Sequence, residues 1–172
     1  MLERKRKLDC ANGREKADLV LKNGNVLNVF TEEVLKADVA ICGDTIVGVG
    51  EYEGKEEIDC TGKYLVPGFI DAHMHIESCM AAPGELAKVL AKAGTTTIIA
   101  DPHEIVNVSG TKGMDYFLKC AAKLLVNVFF MVPSAVPATD VETNGCGEFL
   151  ASDMMKYVDN ARVLGLGETM RF

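Results

Sequence analysis

From Pro67 onward the chain alternates short apolar runs with stretches of helical periodicity, and few folds accept that order. Phe69–Ile76 reads as a strand. Pro83–Ala93 reads as a helix, with Leu86, Val89, Leu90 and Ala93 on one face and Gly94 as its stop. Thr95–Ala100 is β-branched and apolar, and Pro102, which has no N–H for a ladder, closes it. Met114, Phe117, Leu118, Ala121 and Leu125 outline a second amphipathic helix. Val126–Val132 is an unbroken apolar run, as suits a strand covered on both faces. After a polar loop at Thr139–Gly145, Ser152 is a good N-cap for a helix through Met155 and Val158 to Asn160. Arg162–Glu168 reads as the fourth strand. This alternation predicts parallel βα units, hence an α/β fold.

In such folds catalytic groups collect at the C-terminal ends of the strands. The unusual polar groups of this chain fall there: His73 and His75 on the first strand, His103 and Glu104 after the second, Ser134 after the third and Glu168 after the fourth. Along a strand, side chains alternate between faces, so Phe69, Asp71, His73 and His75 share one face. Ile70, Ala72, Met74 and Ile76 share the other, which is apolar and suited to packing under helices. Residues two apart rise about 6.6 Å along the strand, close enough for two imidazoles to lean onto one ion. A lone His-x-His pair would more often be a hydrogen-bonded core feature. Here the chain has only three histidines, and the third lies in a second strand-end motif. That favours a metal site at His73 and His75. Read singly, Glu168 is a salt-bridged or solvent-facing strand end, His103-Glu104 a helix N-terminal pair, and Ser134 a turn residue.

Residues 1–17 are polar and weakly patterned, and read as a helix or a loose arm. Residues 18–66 hold short β-like runs around Asn23-Gly24, Gly43-Asp44 and Thr61-Gly62, with a tight hairpin at Gly43-Asp44. They predict a small antiparallel sheet module without chemistry of its own. The third segment, 67–172, carries the βα units. A net charge of −7 speaks against a nucleic-acid partner or an anionic membrane surface. The basic run Arg4–Lys7 is too short to change that, and no stretch approaches the roughly 18 apolar residues of a membrane span. The six cysteines are scattered and read as free thiols of a cytoplasmic protein. Cys79, near the histidines, reads as a small buried thiol.

Four stretches narrow the reading further: His75-Ile76-Glu77-Ser78; Gly94-Thr95-Thr96-Thr97 leading to Ala100-Asp101-Pro102-His103-Glu104; Val132-Pro133-Ser134-Ala135-Val136-Pro137-Ala138-Thr139; and Gly165-Leu166-Gly167-Glu168. With Pro67-Gly68-Phe69-Ile70-Asp71-Ala72-His73, they resemble the amidohydrolase superfamily, and within it the adenine deaminase family, from about Asp18 to Phe172. The resemblance implies the first half of a (β/α)8 barrel of TIM type, preceded by the small β-module. It implies that His73 and His75 bind one ion of a two-metal site and that Glu168 bridges both. The ions would be manganese or ferrous iron, with zinc also compatible with such ligands. His103 and Glu104 would be catalytic or substrate-orienting groups. Asp71, Glu77 and Ser134 would support the ligands or the substrate. The implied reaction is hydrolytic deamination of adenine to hypoxanthine and ammonia, by a homo-oligomeric full-length enzyme acting on a small purine.

Three departures accompany the resemblance. Cys79 stands where a second serine is usual. Thr169-Met170-Arg171 follows Glu168, and Arg171 would place a cation beside the metal site. A full barrel takes about 250 residues, whereas about 105 follow Pro67 here, which reads as the N-terminal piece of a larger enzyme, inactive alone. The alternatives are another amidohydrolase acting on a cyclic amide or heterocycle, and a non-catalytic fragment or assembly subunit.

Overall fold

The Pro67-Gly68 step divides the chain into two units, Met1–Pro67 and Gly68–Phe172, in a computed structural model. The structure describes residues 2–139 and 141–170; Asp140 of the polar loop and Arg171 lie outside the described residues.

The first unit begins with helix α1 (Leu2–Ala11), followed by strands β1 (Ala17–Asn28), β2 (Glu33–Cys42), β3 (Thr45–Gly50), β4 (Gly54–Asp59) and β5 (Tyr64–Leu65). Helix α1 packs on β2 and β3. The Gly43-Asp44 hairpin forms as expected, pairing Cys42 with Thr45. The sheet as a whole is mixed, not antiparallel. Its order is β3-β2-β1-β4, with β5 also on β1, and both β4 and β5 run parallel to β1. Hairpin signals specify only neighbouring pairs, and the β3–β4 connection carries the chain across to the far side of β1. Asn23-Gly24 is not a turn either. It is a bulge inside one continuous β1, with Asn23 at φ 59° and the register shifting between Leu21 and Gly24. Ala17, Val20 and Ala40 form the small core, with Val47 and Tyr52 against it.

The second unit contains β6 (Phe69–Met74), a 3-10 turn (Glu77–Cys79), α2 (Pro83–Lys92), β7 (Thr95–Ala100), α3 (His103–Ser109), α4 (Thr111–Ala121), β8 (Asn127–Val132), α5 (Ala151–Met154) and β9 (Val163–Leu166). Its strands pair in the order β6-β7-β8-β9, all parallel. This is the expected run of βα units of a partial barrel. Gly94 takes φ +91° just after α2, a conformation that ends the helix at little cost only for glycine.

The core joins sheet and helices through Ile76, Ile98, Val106, Met114, Phe117, Val128, Phe130 and Val132. Phe117 and Phe130 meet with ring centroids 6.2 Å apart. The helical faces are narrower than the periodicity predicts. Leu86, Ala87 and Leu90 pack inward, but Val89 is exposed, and Leu125 lies past the end of α4 in solvent. Ile70 and Ala72 are exposed instead of lying under helices, because β6 is an edge strand; Met74 and Ile76 do reach the core. Cys79 is exposed rather than buried, being carried outward on the 3-10 turn.

The last helix is shorter than expected and starts earlier. Leu150, not Ser152, is its N-cap residue, and the Asp153 carboxylate accepts the Leu150 N–H at 3.2 Å. What anchors the following segment is Tyr157, buried, with its hydroxyl 3.0 Å from Asp115 Oδ1 and 3.2 Å from the Thr111 carbonyl. Burial, and then Asp115, push the phenol well above its usual pKa, so it remains a donor. Tyr157→Phe is expected to lower stability by about 1 kcal/mol. The urea midpoint should fall with the slope unchanged. No helix among the described residues is long and apolar enough to cross a membrane.

Candidate metal centre

His73 lies within β6 and His75 just past it; Glu168 lies two residues past β9. β6 and β9 are opposite edges of the sheet. In a flat sheet, three strand intervals would hold them about 14 Å apart. Yet Glu168 Oε1 is 3.5 Å from His75 Nε2, and Glu168 Oε2 is 3.8 Å from His73 Nε2. Barrel-like curling of the sheet brings the two edges toward each other. The two imidazoles stand edge to face, with centroids 5.0 Å apart and planes at 84°.

One donor atom from each of His73, His75 and Glu168 lies within 4.8 Å of the others. The ion-pair separations exceed hydrogen-bond length. At 3.5 and 3.8 Å they lie at, and slightly beyond, the roughly 3–3.5 Å between donors that share an ion at bonds of 2.0–2.2 Å. Two imidazoles and a carboxylate are a donor set suited to manganese, iron or zinc. The residues present therefore fit a divalent cation.

Supporting contacts set the histidine chemistry. Glu104 Oε2 is 3.1 Å from His75 Nδ1. An ionised carboxylate can only accept there, so Nδ1 donates to Glu104 and Nε2 is the ring nitrogen that faces Glu168. Glu104 Oε1 accepts from Ser78 Oγ at 2.9 Å, which leaves the carboxylate engaged at both oxygens. Glu77 does not reach the histidines. Its Oε1 accepts the Ile105 N–H at 2.9 Å, capping α3, whose own N-cap residue Pro102 offers no side-chain bond. Burial raises the Glu77 pKa. Asp71 accepts the backbone N–H of His73 at 3.2 Å rather than a ring N–H. Ser134 Oγ donates to the Glu168 carbonyl at 2.8 Å. His103 opens α3 with its ring buried, and neither ring nitrogen has a hydrogen-bond partner among the described residues.

One participant was not singled out from the sequence. Asp101, wholly buried at the end of β7, accepts the Glu168 N–H on Oδ2 at 3.1 Å. Burial raises its pKa. The signal available was an aspartate at a strand end beside a proline, which turns commonly show.

The sequence profile of the amidohydrolase family matches residues 64–164. The chain belongs to this family. Among curated amidohydrolase relatives, the adenine deaminase of Desulfitobacterium hafniense (strain Y51) is 58% identical over 160 residues, which is 93% of this chain and 28% of that protein. The adenine deaminase of Clostridium acetobutylicum is 51% identical over 166 residues, 96% of this chain and 29% of the relative. The chain thus spans less than a third of the length of these curated relatives. Among solved structures, the N-acyl-D-glutamate deacylase of Bordetella bronchiseptica, complexed with zinc and a phosphonate inhibitor, aligns with TM-score 0.58 at 19% identity. That alignment covers 82% of this chain and 34% of the deacylase, and it shows the shared fold. The convergence of strand ends on one group of ligating atoms is thus found in a chain of amidohydrolase ancestry, where the expected fold and family both hold.

Proposed function

We propose that this chain carries the His73, His75 and Glu168 part of the active site of a metal-dependent adenine deaminase. The convergence of three donor atoms within 4.8 Å carries the reading. Identities of 58% and 51% to proteins named adenine deaminase support the substrate. His73, His75 and Glu168 would hold a divalent cation, manganese or ferrous iron by preference, with zinc compatible. Such an ion supplies Lewis acidity and lowers the pKa of water from about 15.7 toward 7.

The net reaction replaces the 6-amino group of adenine by the oxygen of water, giving hypoxanthine and ammonia. In this chain Glu104 keeps the proton on His75 Nδ1 and so keeps Nε2 available as a ligand. Ser134 holds the Glu168 carbonyl from the neighbouring strand end. Of the two groups expected to be catalytic or substrate-orienting, Glu104 is committed to His75 and Ser78, and His103 has ring nitrogens without partners among the described residues. His103 is accordingly the residue assigned to moving a proton toward the departing amine.

A chimera tests this reading. The matching segment of the Desulfitobacterium hafniense relative is replaced by this chain, and ammonia release from adenine is measured with added manganese. Turnover is expected, with loss in the His103→Ala chimera. A folded chimera that leaves adenine untouched while the unaltered relative consumes it would end the proposal.

A further inference from the structure

We propose that Asp101 is a positioning residue that sets the distance between the histidine pair and Glu168, resting on the metal reading above. Its backbone N–H donates to the Met74 carbonyl at 2.9 Å, and Met74 is the residue between His73 and His75. Its Oδ2 takes the Glu168 N–H at 3.1 Å. One residue just past β7 therefore ties the peptide inside the His-x-His segment to the peptide of the carboxylate that faces it. No other described residue hydrogen-bonds to the backbone of both segments.

Two further observations point the same way. The Gly167 N–H bonds the Val132 carbonyl at 2.7 Å, pressing this backbone against β8. A Cβ at Gly167 would lie 2.1 Å from Asp101 Oδ2, so only glycine admits the carboxylate so close. Asp101 Oδ1, meanwhile, is buried with no hydrogen-bond partner among the described residues. A buried acceptor left unsatisfied is a cost that the aspartate carries at this position. Its other oxygen supplies the acceptor that the Glu168 N–H needs, and so fixes the backbone from which the Glu168 side chain leaves. Ser134 grips the next peptide, at the Glu168 carbonyl, so the ligand residue is held on both sides of its Cα.

The test uses the unaltered chain, Asp101→Ala, Asp101→Asn and Gly167→Ala. Two readings are taken: hydrogen exchange of the Glu168 amide without metal, and manganese affinity with the cobalt(II) absorption spectrum. Asp101→Ala should speed exchange at Glu168 by about tenfold or more and weaken manganese about 10–100-fold, as outer-sphere partners do. Gly167→Ala should act in the same direction by displacing the carboxylate. Asp101→Asn keeps a side-chain carbonyl for the Glu168 N–H and should restore both slow exchange and the cobalt spectrum, which a packing role would not require. If Asp101→Ala does not fold, the Gly167→Ala and Asp101→Asn pair decides the matter. Unchanged Glu168 exchange and unchanged manganese affinity in the folded variants would overturn the proposal. An unaltered chain that binds no manganese would instead remove the metal reading, and the amide exchange would still judge the Asp101 contact.

Discussion

A chain carrying His75→Ala is expected to bind manganese more than about 100-fold more weakly than the unaltered chain, on the metal reading proposed above. Partners outside the ligand set are worth about 10–100-fold in affinity, and a ligand should exceed that range. Two effects combine at this position. The Nε2 atom 3.5 Å from Glu168 Oε1 is lost, and Glu104 is left without the imidazole proton it accepts. Glu104→Gln should fall within the 10–100-fold range, because the amide can present its N–H₂ to Nδ1 and drive the proton to the wrong nitrogen. The ranking is the informative part. Titration calorimetry with manganese, on chains shown by melting to be folded, reads it directly. Equal affinity of His75→Ala and the unaltered chain would show that these three groups do not share an ion.

The second large effect lies in the first unit. Asp38→Ala should destabilise that unit by about 3 kcal/mol, the lower end for breaking a buried ion pair. Asp38 is buried and accepts from Lys22 Nζ at 2.6 Å, the Asn23 N–H at 2.9 Å and the Tyr52 N–H at 3.2 Å. Lys22 Nζ has a second acceptor in the Tyr52 carbonyl and its side chain is partly exposed, which moderates the loss. The two backbone donors have no second acceptor among the described residues, and one of them belongs to the bulge residue Asn23. Burial works to raise the Asp38 pKa, but Lys22 and the two N–H groups outweigh it, leaving it below the usual carboxylate range. The folded state thus binds the proton less readily than the unfolded one. The contribution is complete above the unfolded value of about 3.9 and fades as the pH falls through the lower folded value. Acid titration of the unaltered chain should show this loss, and Asp38→Ala should be less sensitive over the same window. A variant melting with the same midpoint and the same acid profile would contradict the assignment.

Much of the second unit was legible in local pattern. β7 spans Thr95–Ala100 as the apolar run and Pro102 indicate, because a six-residue β-branched run closed by proline has few alternatives. α2 likewise follows from Pro83 at its start and Gly94 after its end. Less was legible where pairing is non-local. Nothing near Gly54 announces that β4 joins β1 in parallel, and nothing near Asn23 distinguishes a bulge from a turn. Helix α3, rich in β-branched residues, depends on a cap supplied by Glu77 from another loop, so its own sequence understates it. Cys79 and Ile70 look like core residues by type, and their exposure follows from the turn and the edge strand that carry them.

The same division runs through the metal centre. The sequence by itself determined which strand ends carry imidazole and carboxylate, because period-two alternation and the βα order place His73, His75 and Glu168 on one rim. Only the tertiary structure decided that Glu104 serves His75, that Glu77 serves α3 and that Asp101 takes the Glu168 N–H. Hydrogen bonds between residues 29, 28 and 67 positions apart depend on how far the sheet curls and where each loop returns. That curvature is set by packing over the whole unit, and no local spacing encodes it.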